Sequence, residues 1–225
     1  MSRSKLRFEL PGGATALFTA RAEGNMSTVA GDGALNAEQA RERLRAEIGV
    51  ERLARGYQVH GTVVERVFRP PEPAADRRHA DGQATALEGV GAMVLTADCL
   101  PVALGVEGAV AMIHAGWRGL AGGVLESGVK ALRELGCEGK IVAVIGPGAG
   151  VCCYEVGPEV HAAFGDSHRD GARIDLRAIA RERLLQAGVM EIHDVQACTV
   201  CDERFFSHRR EGARAGRQVG VAWRS

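Results

Sequence analysis

Three apolar runs of strand length follow one another closely, at residues 92–97, 101–106 and 109–113. None alternates with polar residues, so each reads as a buried strand, not one with a solvated face. The next stretch, 118–135, places Leu120, Val124, Leu125, Val129, Leu132 and Leu135 at helical spacing, which makes one apolar helix face. Residues 141–145 form another buried run, closed by Gly146 and Pro147. A chain with these segments has to stack helices on buried strands.

The flanks agree. Short strands are expected at 6–10 and 15–19 around a Pro-Gly-Gly turn. A helix is expected over 36–49, with Asn36 as N-cap, Leu44 and Ile48 on one face and Gly49 as the stop. Residues 57–60 and 63–68 read as strands, and 69–83, rich in Pro, Ala, Arg and Asp, as an exposed loop. Helical patterns return at 158–164 and 176–187, and strands at 190–196 and 218–223. The whole is an α+β or mixed α/β layered fold, read as one domain over residues 1–225. Only 4% of residues are aromatic, so Ala, Val, Leu and Ile must build the core.

Lys plus Arg balances Asp plus Glu at 28 each, which argues against a dedicated nucleic-acid binder. Residues 1–10 lack the apolar centre of a signal peptide, and the apolar runs are too short to span a bilayer, so a cytoplasmic location without membrane attachment is expected. In that compartment six cysteines are not expected to form a disulfide framework. Cys137 follows a helical pattern and reads as packing. Cys152 and Cys153 are adjacent, so they should project differently and not share a site. Cys198 and Cys201 form a CxxC without a second CxxC, which reads as structural or incidental. On that reading Cys201→Ser leaves metal content and turnover unchanged.

Three metal-capable residues fall at expected strand ends. His60 closes 57–60, Cys99 follows Leu95-Thr96-Ala97-Asp98, and His114 follows the run ending at Ile113. Two imidazoles and a thiolate match a catalytic zinc set, which leaves one position open. Spacing alone equally allows three packed or solvated side chains. His79, His161, His168, His193 and His208 have weaker contexts and read as structural or solvent-facing.

Longer strings add to this. Gln58-Val59-His60-Gly61, Thr96-Ala97-Asp98-Cys99-Leu100-Pro101-Val102 and His114-Ala115-Gly116-Trp117-Arg118-Gly119 closely resemble the YfiH family. So do Ile145-Gly146-Pro147, Cys152-Cys153-Tyr154-Glu155-Val156-Gly157, Cys198-Thr199 and Phe206-Ser207-His208-Arg209-Arg210. The family is labelled variously polyphenol oxidoreductase (laccase), peptidoglycan editing factor and purine nucleoside phosphorylase. The resemblance implies mixed β-sheets flanked by helices, and metal ligands at His60, Cys99 and His114. It also implies zinc-dependent phosphorolysis of adenosine, inosine, guanosine and methylthioadenosine, with deamination of adenosine. The family's Asn-Arg helix motif falls on Ala40-Arg41, so only Arg41 carries over. Its Ser-Thr-Arg-x-Gly-Gly pattern is degraded to Thr19-Ala20-Arg21-Ala22-Glu23-Gly24.

Zinc can act as a Lewis acid or acidify water, and deamination of a purine also needs a proton shuttle. Asp98 is the nearest carboxylate in sequence, as shuttle or as orienting partner of a ligand. Phosphate needs a cation. Arg41 and Arg118 are candidates, Arg118 because it opens a helix beside His114; each could equally be a surface ion pair. Tyr154 and Glu155 could line the cleft or serve packing and capping. The partners so implied are a purine nucleoside and phosphate, and a monomer is compatible with them. Copper is the alternative metal, because one Cys and two His can form a blue-copper site, but seven histidines without a His-x-His pair do not suggest a multicopper cluster. Editing of a peptidoglycan precursor is the alternative reaction, and a purely structural zinc the non-catalytic one.

Overall fold

Successive side chains of a strand point to opposite faces, and here that splits the buried runs between separate cores. The fold is that of a computed structural model describing residues 5–72, 78–165 and 167–225. Its strands are β1 (Leu6–Glu9), β2 (Thr15–Phe18), β3 (Arg52–Ala54), β4 (Val64–Val67), β5 (Gly82–Thr85), β6 (Val90–Thr96), β7 (Leu100–Val106), β8 (Ala109–Ala115), β9 (Val142–Ile145), β10 (Arg169–Asp170), β11 (Arg173–Ile174), β12 (Glu191–Asp194) and β13 (Gln218–Trp223). Its helices are α1 (Ala37–Ile48), α2 (Trp117–Gly122), α3 (Val124–Glu134), α4 (Pro158–Ala163), α5 (Leu176–Gln186) and α6 (His208–Glu211).

One mixed sheet runs β1-β2-β13-β6-β3, and a second runs β12-β9-β7-β8-β5-β4. Ala16, Phe18, Ala92, Val94 and Ala222 of the first sheet pack on Ala103, Val110, Met112, Val142 and Val144 of the second. The opposite face of the second sheet, with Leu100, Val102, Leu104, Ala111 and Ile113, is covered by Leu120, Leu125, Leu132, Ile179 and Leu184 of α2, α3 and α5. On the outside of the first sheet, Ala40, Leu44 and Ile48 of α1 pack on Met93, Val219, Val221 and Trp223. The layers are thus helix, sheet, sheet, helix. Every residue of β7 and β8 is buried, as continuous apolar strands between two covers should be. Small residues set the spacing: a Cβ on Gly128 of α3 would lie 2.1 Å from Ile113 Cδ1 of β8.

Several expectations need correction. The stretch 118–135 is two helices, because Gly123 between them takes φ +93°, the left-handed conformation that breaks a helix. Residues 57–60 are not a strand; Tyr57 forms a single bridge to His79, and His60 has φ +60°. The loop assigned to 69–83 gives way to β5 at Gly82, and Asp81 is wholly buried; its part at 73–77 lies outside the described residues. His114 stands inside β8, which continues to Ala115. Asn36 occupies the N-cap of α1 without a side-chain bond. Of the two readings of His161, structural or solvent-facing, its burial leaves the structural one. Of the segment considered for a signal peptide, residues 1–4 lie outside the described residues. Among those described, no helix is long and apolar enough to cross a membrane.

Candidate metal centre

In β8, Val110, Met112 and His114 share the face turned toward the other sheet, by the two-residue period. β7 pairs antiparallel with β8, Pro101 opposite His114 and Leu100 opposite Ala115. Cys99, one residue before β7, therefore falls beside His114. The bend carrying Cys99 is sharp, with Asp98 at φ +88°. His60 arrives from the loop between β3 and β4. One ligand atom from each of His60, Cys99 and His114 lies within 4.8 Å of the other two, and the imidazole rings meet edge to face at 4.9 Å. His114 is buried, Cys99 partly buried and His60 exposed, so the site opens on the His60 side.

Asp81 organises this group. Its carboxylate accepts the backbone N–H of Val59 at 3.1 Å, His60 at 2.9 Å and Gly61 at 2.7 Å. The same carboxylate meets His114 Nδ1 at 2.8 Å. One buried acid thus shapes the His60 loop and orients the His114 ring. Those contacts outweigh the cost of burial and hold Asp81 below the usual carboxylate range. Burial pushes the Cys99 thiol up, yet the neighbouring His114 and His60 pull it down to about 6. Burial lowers His114, yet Cys99 and Asp81 raise it to about 9. Without a metal, these opposite shifts favour a thiolate beside an imidazolium. Gly116, the N-cap residue of α2, closes the site on that side: a Cβ there would lie 3.0 Å from His60 Cδ2 and 3.1 Å from Cys99 Sγ.

The donor set suits a metal. A carboxylate on His114 Nδ1 leaves Nε2 toward Cys99, the arrangement in which outer partners fix ligating histidines. Two imidazoles and a thiolate around one point, with an open side, fit a three-ligand zinc site.

The other singled-out residues are placed differently. Asp98 bonds Thr199 and Arg209: its carboxylate accepts Thr199 Oγ1–H at 2.7 Å and the Arg209 backbone N–H at 2.7 Å. It braces the bend that carries Cys99. Arg41 is buried in α1, with Nε donating to the Met26 carbonyl at 2.7 Å. Arg118 is exposed and lies over the Trp117 ring at 4.2 Å; its helix has only six residues, too few for a strong dipole. The Tyr154 ring carries the Arg209 guanidinium at 4.6 Å, and the Glu155 carbonyl accepts from Arg209 at 2.6 Å. Arg21, in the degraded motif, donates to the carbonyls of Glu203 and Phe205. His168 and His193 meet Glu182 and Glu191 at 2.7 and 3.0 Å; His79 stacks on Tyr57 and His208 meets the Gly212 carbonyl.

Two site residues escaped the sequence argument. Asp81 precedes a short strand in a segment that looks like surface loop. Arg217 is part-buried, which lowers its pKa, within electrostatic reach of Cys99 and Asp98. No local pattern marks either. A second group, Cys152, Cys153, Cys198 and Cys201, also has all its sulfurs within 4.8 Å of one another. The expectation that Cys152 and Cys153 diverge fails, because the turn at 150–153 folds both sulfurs toward Cys201.

Residues 12–225 match the protein family described as multi-copper polyphenol oxidoreductase laccase. The chain is 36% identical to the purine nucleoside phosphorylase YfiH of Escherichia coli, over 88% of this chain and 85% of that protein. It is 35% identical to an adenosine deaminase of an unknown prokaryotic organism, over 86% of this chain and 84% of that one. The crystal structure of YlmD from Geobacillus stearothermophilus superposes with a TM-score of 0.87 at 30% identity, covering 100% of this chain and 97% of the other.

Proposed function

The chain belongs to the YfiH family, described as multi-copper polyphenol oxidoreductase laccase, and we propose that it is a zinc-dependent purine nucleoside phosphorylase that also deaminates adenosine. Adenosine, inosine, guanosine and methylthioadenosine are its substrates, with phosphate as co-substrate. The observation that carries this reading is the convergence of His60, Cys99 and His114 within 4.8 Å, open on one side. The names of the phosphorylase and deaminase relatives support it.

Bound there, zinc would supply Lewis acidity and lower the pKa of water at the open position. The chain's own residues do the rest. Asp81 keeps the proton on His114 Nδ1 and holds the His60 loop in its left-handed turn. Arg118, exposed one residue beyond Trp117 and two beyond Gly116, offers its guanidinium to phosphate. Arg217 adds positive charge near Cys99 and Asp98. In phosphorolysis a phosphate oxygen bonds to the ribose C1′ as the bond to the base nitrogen breaks. The electron pair leaves with the base, which takes up a proton. Asp98 and Arg41 act at one remove: Asp98 braces the Cys99 bend and Arg41 ties α1 to Met26.

The same donors could hold copper. Multicopper oxidation needs further histidine-rich centres, and the other metal-capable group among the described residues is made of cysteines alone. Zinc is the better match.

Purified protein incubated with a nucleoside panel, with and without phosphate, tests the proposal by chromatography. Free base and ribose 1-phosphate should appear only with phosphate, while inosine should form from adenosine in water alone. Zinc-loaded protein that yields none of these but releases an amino acid from a nucleotide-linked precursor would replace this reading with precursor editing.

A further inference from the structure

The four cysteines outside the proposed catalytic site sit on two turns that the fold holds together. Gly148 and Cys198 form a parallel bridge, with Gly148 N–H donating to Ala197 O at 3.2 Å and Thr199 N–H to Gly148 O at 3.1 Å. From that anchor one turn carries Cys152 and Cys153, and the other carries Cys198 and Cys201. Cys201 Sγ lies 3.4 Å from Cys152 Sγ and 2.9 Å from Cys153 Sγ. The Gly150 N–H donates to Cys198 Sγ at 3.2 Å, a bond that favours a charged sulfur. A Cβ on Gly150 would fit tightly, 3.3 Å from Cys152 Sγ and 3.2 Å from Cys198 Cβ. All four cysteines are free.

We propose that Cys152, Cys153, Cys198 and Cys201 bind a second zinc ion as a closed, four-thiolate structural site. Four sulfurs at about 2.3 Å from a tetrahedral zinc stand roughly 3.8 Å apart. The observed sulfurs all lie within 4.8 Å of one another, with two contacts at 2.9 and 3.4 Å, so a zinc ion needs only a small spreading of the cluster. Tetrahedral all-sulfur sites select zinc or iron–sulfur clusters; this group faces solvent, with Cys152 and Cys201 exposed, and holds four ligands for a single ion. Binding displaces the thiol protons to solvent and involves no electron transfer.

The position gives the ion a task. Thr199, between the two CxxC cysteines, bonds the Asp98 carboxylate that braces the Cys99 bend, and the Ala149 N–H donates to the Asp98 carbonyl at 2.7 Å. Tyr154, next to Cys153, carries Arg209, whose N–H holds the other Asp98 oxygen. A zinc ion clamping the two turns would fix this wall without contributing a ligand to the first site.

The test uses the full chain purified without chelator, and zinc itself as the probe. Elemental analysis should find two zinc ions per chain in the wild type. Cys201→Ser and Cys99→Ala should each lose one, from different sites. Cobalt(II) substituted into Cys99→Ala should give the intense sulfur-to-cobalt charge transfer of four thiolates, and the band should be lost when Cys201→Ser is added to that variant. Should Cys201→Ser not fold, peptide-resolved alkylation of the wild type decides: Cys152, Cys153, Cys198 and Cys201 should react slowly until a chelator is added. A wild-type zinc count in Cys201→Ser, or rapid alkylation of all four in zinc-saturated protein, would overturn the proposal, and neither result touches the His60–Cys99–His114 site.

Discussion

Asp81 Oδ1 lies 2.8 Å from His114 Nδ1, and the same carboxylate receives three backbone N–H groups of the His60 loop. One buried side chain therefore orients a ring on a strand and shapes a loop twenty-odd residues earlier. Asp81→Asn keeps the size but weakens the acceptor and points an N–H at one of these donors. Outer partners of this kind are worth about 10- to 100-fold in metal affinity. Zinc competition with a chromophoric chelator should register a loss in that range, and an unchanged affinity would assign Asp81 to folding alone.

The three proposed ligands should behave as one unit. His60→Ala, Cys99→Ala and His114→Ala should each remove the zinc of this site and abolish both phosphorolysis and deamination, with the far-ultraviolet circular dichroism retained. Retention of that zinc in the Cys99→Ala variant would rule out Cys99 as a ligand.

The metal-free protein should show a pH window. His114 is raised to about 9, so its contribution is complete below its unfolded value and lost as pH rises through 9. Cys99 is lowered to about 6, so its contribution is complete above its unfolded value and lost as pH falls through 6. The two charges coexist between about 6 and 9. The melting-temperature difference between metal-free wild type and Cys99→Ala should be greatest inside that window and shrink on both sides. A difference independent of pH would mean that no such ion pair forms.

Arg118 stacks on Trp117 and faces solvent, so its loss costs little packing. Arg118→Ala should raise the KM for phosphate and leave the KM for adenosine in deamination unchanged. Equal effects on both activities would point to the nucleoside instead of the anion.

Tight packing beneath the site is also testable. The Cβ of Gly128→Val would run into Ile113 Cδ1, next to His114 in β8. Overpacking of this kind costs about 1–3 kcal/mol, and in a chain of this size each kcal/mol lowers Tm by about 2–4 °C. Calorimetry that found Gly128→Val as stable as the wild type would contradict the close approach of α3 to β8.

Much of this was legible in the sequence, for identifiable reasons. The runs that became β6, β7, β8 and β9 are continuous and apolar because both faces are covered, and β13 has the bounds its pattern suggested. What local pattern could not supply was long-range. The left-handed turn at His60 exists because Asp81 gathers three N–H groups there, and Asp81 sits inside a stretch that reads as exposed loop. Gly123 interrupts a helical period that the apolar residues carry straight through. The four cysteines meet because Gly148 bridges Cys198, a pairing no spacing rule for CxxC contains.

The proposed reaction is tested most directly by the fate of oxygen-labelled phosphate. Zinc-loaded protein given adenosine and phosphate labelled on every oxygen should produce adenine and ribose 1-phosphate, the latter with all of its phosphate oxygens labelled, including the one bound to C1′. Free ribose in place of the phosphorylated sugar, or adenosine recovered without loss of its base, would contradict the assignment of phosphorolysis to the His60–Cys99–His114 site.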